Sequence, residues 1–217
     1  MNNIEALAKS AVIAGQKEDL LSERGYLIKP AKDVKGNIQE KISKLYVEAF
    51  GSDMNAISKS PEKLIKAFTH MFVVNDFYVC IIDNEVVGMV ACTNKETYSI
   101  KHDKKLLIKE LGLVKGLVAN MILIKLFTKY PKYPIEMDDK TGSIEHVVTN
   151  SNYRKKGIAT SIMEYIFALN MYEKYVLEVF DTNENAIKLY KKLGFKEVGT
   201  QKIHPFNYVY MLKENVK

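Results

Sequence analysis

Gly142 to Thr149 reads as a strand, Asn152-Tyr153-Arg154-Lys155-Lys156-Gly157 as a basic turn, and Ile158 to about Tyr172 as a strongly apolar helix. Nothing else in the chain restricts its fold as much. A helix this apolar has to be buried, and the next run, Tyr175–Phe180, again has strand character. Strand, helix, strand implies a parallel pair at the centre of a sheet, with the helix as a right-handed crossover. Ligands of such sheets gather at the C-terminal ends of the strands, and the Gly157 turn lies at that end.

The turn has the makings of an anion site. The first turn of a helix leaves backbone N–H groups unpaired, and the helix dipole adds partial positive charge there. Gly157 permits close approach of a bulky phosphate, and Arg154, Lys155 and Lys156 supply full charge. A diphosphate-bearing ligand is the expectation. Neither GxGxxG nor GxxxxGK followed by Ser or Thr is present, and a basic turn before a helix is often only a solvated loop. The segment downstream decides between the two.

Along the rest of the chain, residues 2–23 have an amphipathic helical pattern with Ile4, Leu7, Ala8, Ala11 and Ala14 on one side. Tyr26–Lys29 is a short strand ended by Pro30. Lys35–Phe50 is helical by period, and Ser60-Pro61-Glu62 opens a second helix that runs to about Phe72. Phe77–Ile82 and Val86–Cys92 form a hairpin. Asp103–Tyr130 reads as two helices meeting near Gly112 and Gly116. A helix at Asn185–Leu193 and an antiparallel pair, Lys196–Ile203 and Tyr208–Leu212, complete the order. The expected fold class is α/β (α+β): a mixed, mostly antiparallel central sheet with one parallel central pair and helices on both faces. Residues 1–24 are expected as an accessory helix, and 25–217 as a single domain with a helical insertion at about 101–133.

Composition narrows the partners. At 217 residues and 47% apolar, the chain suits one domain with a full core. A net charge of +6 and a pI near 9.0 favour anionic partners. The lysines are spread along the chain, without a basic helix or zinc-finger spacing, so nucleic acid is not the expected partner. The hairpin register sets Cys80 near Gly88 or Met89 rather than opposite Cys92, and two reduced thiols fit an intracellular protein. The most apolar run, Leu117–Phe127, is far short of the roughly 20 residues of a spanning helix. Charged residues from Glu5 to Asp19 interrupt any signal-peptide pattern, so a cytoplasmic protein that engages no membrane is expected. The four histidines are scattered and the cysteines lack ligand spacing, so no metal is expected.

In the downstream segment Asp181-Thr182-Asn183-Glu184-Asn185-Ala186-Ile187-Lys188-Leu189-Tyr190-Lys191-Lys192-Leu193-Gly194-Phe195, cap residues precede an apolar stripe and a glycine stop. Its pattern, N-x-x-A-x-x-L-Y-x-x-x-G-F, follows R-x-x-G-x-A by about thirty residues. Together the two closely resemble the GNAT superfamily of N-acetyltransferases, over about residues 142–212. Before that span the chain resembles the family only in element order.

The resemblance implies acetyl transfer from acetyl-coenzyme A to an amine, on a GNAT fold whose parallel pair splays to admit the coenzyme. By position, the backbone at Arg154, Lys155, Lys156, Gly157, Ile158, Ala159 and Thr160 would hold the pyrophosphate. The strand edge at Val147, Val148 and Thr149 would pair with the pantetheine arm, and an N–H at Val148 or Thr149 would face the thioester oxygen. Asn183 matches an asparagine near the thiol end, and Tyr190 a tyrosine beside the sulfur, which makes it the candidate acid.

An alkylammonium, of pKa about 10, must lose a proton before attack. Glu145 is the candidate base. Strict alternation puts it on one face with Val147 and Thr149, and turns His146 to the other face as a structural histidine. Tyr208 and Tyr210 are expected to fill the sheet, and His204 is an outside candidate base. The acceptor, a small-molecule or protein amine, is not identified, and a homodimer is compatible with the sequence. Asp103–Tyr130 is proposed to wall or lid the acceptor site. The alternative function is a non-catalytic acyl-coenzyme A sensor or partner-binding module on the same fold.

Overall fold

β1 (Leu27–Pro30), β2 (Phe77–Ile82), β3 (Glu85–Thr93), β4 (Thr141–Thr149), β5 (Lys174–Phe180), β6 (Lys196–Ile203) and β7 (Phe206–Glu214) form one sheet in the order β1-β2-β3-β4-β5-β7-β6. They belong to a computed structural model that describes residues 25–101, 103–127, 133–203 and 206–215. The amphipathic pattern of residues 2–23 and His204 lie outside the described residues. Every neighbouring pair is antiparallel except β4 and β5, which run parallel.

The helices start where their caps dictate. α1 (Ile38–Phe50) begins after Asn37, whose side chain accepts from the Glu40 amide, a little later than the apolar period suggests. α2 (Pro61–Thr69) begins after Ser60, which accepts from the Lys63 amide, with Pro61 at the first position. It ends at Thr69 rather than Phe72, because Phe72 is drawn into a bridge with Ile100. The insertion holds α3 (Lys104–Leu111) and α4 (Leu113–Phe127), which turn at Gly112. A Cβ on Gly116 would lie 2.5 Å from the Ile108 Cα, so these two helices pack with their backbones in contact.

α5 (Ile158–Ala168) follows β4, and α6 (Glu184–Lys192) follows β5. The helices cover both faces of the sheet. On one face Ile42, Leu45, Leu64, Phe68 and Leu107 from α1, α2 and α3 close over Phe77, Met89 and Val148. On the other, Ile158, Ile162 and Ile166 of α5 and Tyr190 of α6 close over Val90, Ile144, Tyr175 and Leu177. Burial of each large aliphatic side chain contributes about 2 kcal/mol.

The hairpin turns at Asp83 and Asn84, both with positive φ, and pairs Cys80 with Gly88. Cys80 and Cys92 are buried, unbonded thiols.

Two irregularities in β4 position the site. β4 and β5 pair only at Thr141↔Lys174, Gly142↔Tyr175 and Ser143↔Val176, and then part. On its other edge β4 bulges: Glu145 lies opposite Ala91 and Val148 opposite Met89, so His146 and Val147 share the place opposite Val90. His146 takes the extra turn, at φ 48.

Candidate active site

The glycine turn is shaped by its own neighbours. The Asn150 side chain accepts from the Asn152 amide at 3.0 Å and donates to Glu48 of α1 at 2.8 Å, which ties the end of β4 to the first helix layer. Lys155 and Gly157 both have left-handed backbone, at φ 62 and 81. A Cβ on Gly157 would meet nothing within 4 Å, so conformation rather than space requires glycine there. No side chain caps α5, and the first bond into its ladder runs from the Ser161 amide to the Gly157 carbonyl. The amides of Ile158, Ala159 and Thr160 are therefore the helix's unpaired donors. Ile158 plugs the core while Arg154, Lys155 and Lys156 remain exposed around them, with the Lys156 ammonium 4.8 Å above the Tyr153 ring.

The parted edge of β4 leads up to this turn. The Asn150 amide bonds the Val87 carbonyl on β3. Alternation of backbone direction then turns the Thr149 N–H the other way, toward the gap left by β5. Arg154 Nε approaches the Thr149 carbonyl on that side, at 3.5 Å.

Strict alternation of side chains along β4 does not hold. The bulge puts His146 on the same face as Glu145, and moves Val147 to the opposite face with Ile144. His146 lies against Tyr46 and Phe77 with 13% of its side chain exposed, and desolvation depresses its basicity while Glu145 opposes the shift. It is a neutral, packed histidine, as expected, but it sits beside Glu145 and not behind the sheet.

Glu145 is held on both oxygens. Thr93 donates to Oε1 and Ser99 to Oε2, each at 2.5 Å, and the Ser99 hydroxyl also lies 3.1 Å from His146 Nε2. Two further carboxylates feel its charge. Asp76, with Oδ2 buried and unbonded, is pushed up to about 6, chiefly by burial and then by Glu145, against a smaller opposing effect of Lys101. Glu178 on β5 is pushed up to about 7, again by desolvation first and Glu145 second. Its side chain is exposed yet has protein around it, as expected of a residue lining an open cleft. Tyr133 donates or accepts with Ser143 at 2.8 Å and packs edge-on to Tyr210. Tyr210 is almost fully buried and bonds Gln201, so it does fill the sheet.

Tyr190 is 6% exposed in the core shared by Ile144 and Ile158, its ring 6.0 Å from Phe195. Burial raises its phenol to about 12, so it stays protonated at neutral pH. Its hydroxyl has no hydrogen bond among the described residues. Asn183 is the N-cap of α6, accepting from the Ala186 amide at 3.3 Å.

The β4 edge thus runs from the opening beside Glu145 to the glycine turn at its far end, while Tyr190 lies in the core with Ile144 and Ile158. Thr93, Ser99, Asp76, Tyr133 and Glu178 gather near Glu145 without any signal in the local sequence. They come from segments far apart along the chain, and only the folded sheet brings them together. Among the described residues no group of three or more His, Cys, Asp or Glu side chains is arranged to hold a metal ion, and no helix is long and apolar enough to cross a membrane.

Comparison with known proteins agrees with this geometry. The model of the acetyltransferase (GNAT) family matches residues 40–195. Among solved structures, an N-acetyltransferase from Staphylococcus aureus Mu50 is 21% identical, with a TM-score of 0.54 over 86% of this chain and 99% of that one. A protein from Pyrococcus horikoshii OT3 is 18% identical, with a TM-score of 0.55 over 87% and 98%. Another acetyltransferase is 19% identical, with a TM-score of 0.56 over 88% and 100%. At these identities the likeness is one of fold. A search of curated protein sequences gives no match.

Proposed function

Because this chain belongs to the GNAT acetyltransferase family, we propose that it moves the acetyl group of acetyl-coenzyme A onto a primary amine by direct attack in a ternary complex. The observation that carries the reading is the parting of β4 from β5 after Ser143, with a glycine turn and an uncapped helix start at the end of the parted strand. A linear thioester arm fits along such an edge, and a pyrophosphate fits the helix start.

In this reading the amides from Arg154 to Thr160 bind the pyrophosphate, and Arg154, Lys155 and Lys156 balance its charge. Val147, Val148 and Thr149 line the arm, and the Thr149 N–H, turned toward the gap, donates to the thioester oxygen as it becomes an oxyanion. Asn183 contacts the arm near its thiol end. Tyr190 protonates the departing thiolate; a phenol raised to about 12 holds its proton until a strong base forms beside it. Glu145 faces the acceptor, where its carboxylate attracts the ammonium. The acetyltransferase needs no enzyme nucleophile and no metal for these steps.

Calorimetry with acetyl-coenzyme A, followed by thiol release against a panel of primary amines, tests the proposal. Saturable binding with transfer to at least one amine is expected. No binding at millimolar ligand would remove it, and binding with no transfer across the panel would make the protein a sensor.

A further inference from the structure

Glu145 and Glu178 hold matching places on the two parted strands. Ser143↔Val176 is the last pair between β4 and β5, and each glutamate follows its paired residue by two positions. The strand period of two keeps both side chains on one face, before the bulge at His146 intervenes. One carboxylate therefore stands on each lip of the opening. Tyr133 touches Ser143 of β4 at 2.8 Å and Tyr210, the β7 partner of Glu178, at a ring distance of 5.6 Å.

The two are not equivalent. Both oxygens of Glu145 accept a hydroxyl bond, from Thr93 and Ser99, so the carboxylate is fixed in place. Thr93 and Ser99 are each 2% exposed, so water does not compete for them. Glu178 has neither a hydrogen bond nor an ion pair among the described residues. Facing it are Glu145 across the gap, Tyr208 and Tyr210 from β7 and Tyr133 from the segment before β4, all three phenols raised by burial and thus neutral. Asp76 also feels the charge of Glu145, with Lys101 opposing it. In a chain with 32 Lys and Arg, none is ion-paired to these three carboxylates among the described residues, where His146 Nε2 lies 3.9 Å from Glu145 Oε2.

We propose that Glu178 is the general base of the transfer, and that Glu145, held in place by its two hydroxyl donors, positions the acceptor ammonium for it. The assignment rests on the acetyltransferase reading above. The ammonium gives one N–H proton to the Glu178 carboxylate. The freed lone pair forms a C–N bond to the thioester carbonyl carbon. As the C–S bond breaks, the adduct loses its remaining extra N–H proton and the thiolate gains one. Amide, thiol and the proton on Glu178, later released to water, complete the balance. The surroundings of Glu178 agree with this role: the protein packed about it, and after that the charge of Glu145 across the gap, raise its affinity for a proton toward neutrality, where a base works best.

The test uses the full chain, acetyl-coenzyme A, and spermidine, lysine ethyl ester and a peptide with a free α-amine as acceptor probes. In the wild type, kcat/KM should rise with pH through an apparent pKa near 7. Glu178→Gln should lower kcat by about 100-fold or more and remove that limb, with acetyl-coenzyme A affinity unchanged. Glu145→Gln should raise the acceptor KM and move the limb to lower pH without abolishing it. Carboxyl-carbon NMR supplies a readout that needs no acceptor: Glu178 should titrate near neutrality and shift down in Glu145→Gln. A wild type inactive with every probe removes the acetyltransferase reading and the pair with it. An active wild type whose Glu178→Gln variant keeps both turnover and limb, or whose limb disappears in Glu145→Gln instead, overturns the pair alone.

Discussion

The glycine turn and the carboxylate opening stand at two ends of the same parted strand, and they are built in opposite ways. The turn is one contiguous segment, Asn150 to Ser161, whose bends come from its own left-handed residues and whose donors come from its own helix. The opening is assembled from segments far apart in sequence: Asp76, Thr93, Ser99, Tyr133, Glu145 and Glu178. The turn presents backbone dipoles and exposed cations, and the opening presents carboxylates. In the proposed function the turn binds its ligand through its own backbone, whereas chemistry at the opening depends on how two strands register and part. Damage to the turn should therefore cost affinity, and damage to the opening should cost turnover.

The largest effect expected from breaking that division comes at Tyr190. Tyr190→Phe keeps the buried ring and removes the hydroxyl, so kcat should fall about 100-fold with coenzyme affinity intact by calorimetry. An unchanged kcat would reduce Tyr190 to a packing residue. Gly157→Val tests the other side. A β-branched residue at φ 81 costs about 1–2 kcal/mol, which should weaken coenzyme binding about tenfold while kcat at saturating coenzyme changes less than twofold. A loss in kcat with affinity retained would erase the contrast between the two regions.

The smallest effect concerns stability. Asp76 has a folded-state pKa of about 6, above its ordinary 3.8, so the folded protein binds more protons than the unfolded chain between those values. Its contribution is most favourable below about 4 and is lost as pH rises to about 6. Asp76→Asn should flatten that part of the stability profile, measured by denaturant midpoint against pH, and should be relatively more stable above pH 6. A profile identical to the wild type would mean that the buried Oδ2 is solvated in solution.

Much of the fold was legible in the sequence because the signals were local. Asn37, Ser60 and Asn183 each cap a helix through the amide three residues on. The apolar run from Ile158 required burial and so implied the parallel pair. The motif around Arg154 and the motif around Tyr190 carried the family. The helix ends were less legible: α2 stops at Thr69 and α5 at Ala168, short of the expected ends near Phe72 and Tyr172.

The facing of β4 was not legible at all. A bulge adds one residue to one strand relative to its neighbour, and nothing in Glu145-His146-Val147-Val148 marks which residue is extra. Strict alternation therefore assigned His146 and Val147 to the wrong faces. Glu178 went unnoticed for a similar reason. In the sequence it is one polar residue in an apolar strand, and only the pairing of Ser143 with Val176 sets it across from Glu145. By itself the sequence determined most of the elements, the parallel pair and the glycine turn, because their signals are local. The tertiary structure alone decided which carboxylates meet, which of them is held by hydroxyls and which has no hydrogen bond among the described residues. Those outcomes depend on strand register and shared desolvation, which belong to the assembled sheet and not to any segment of it.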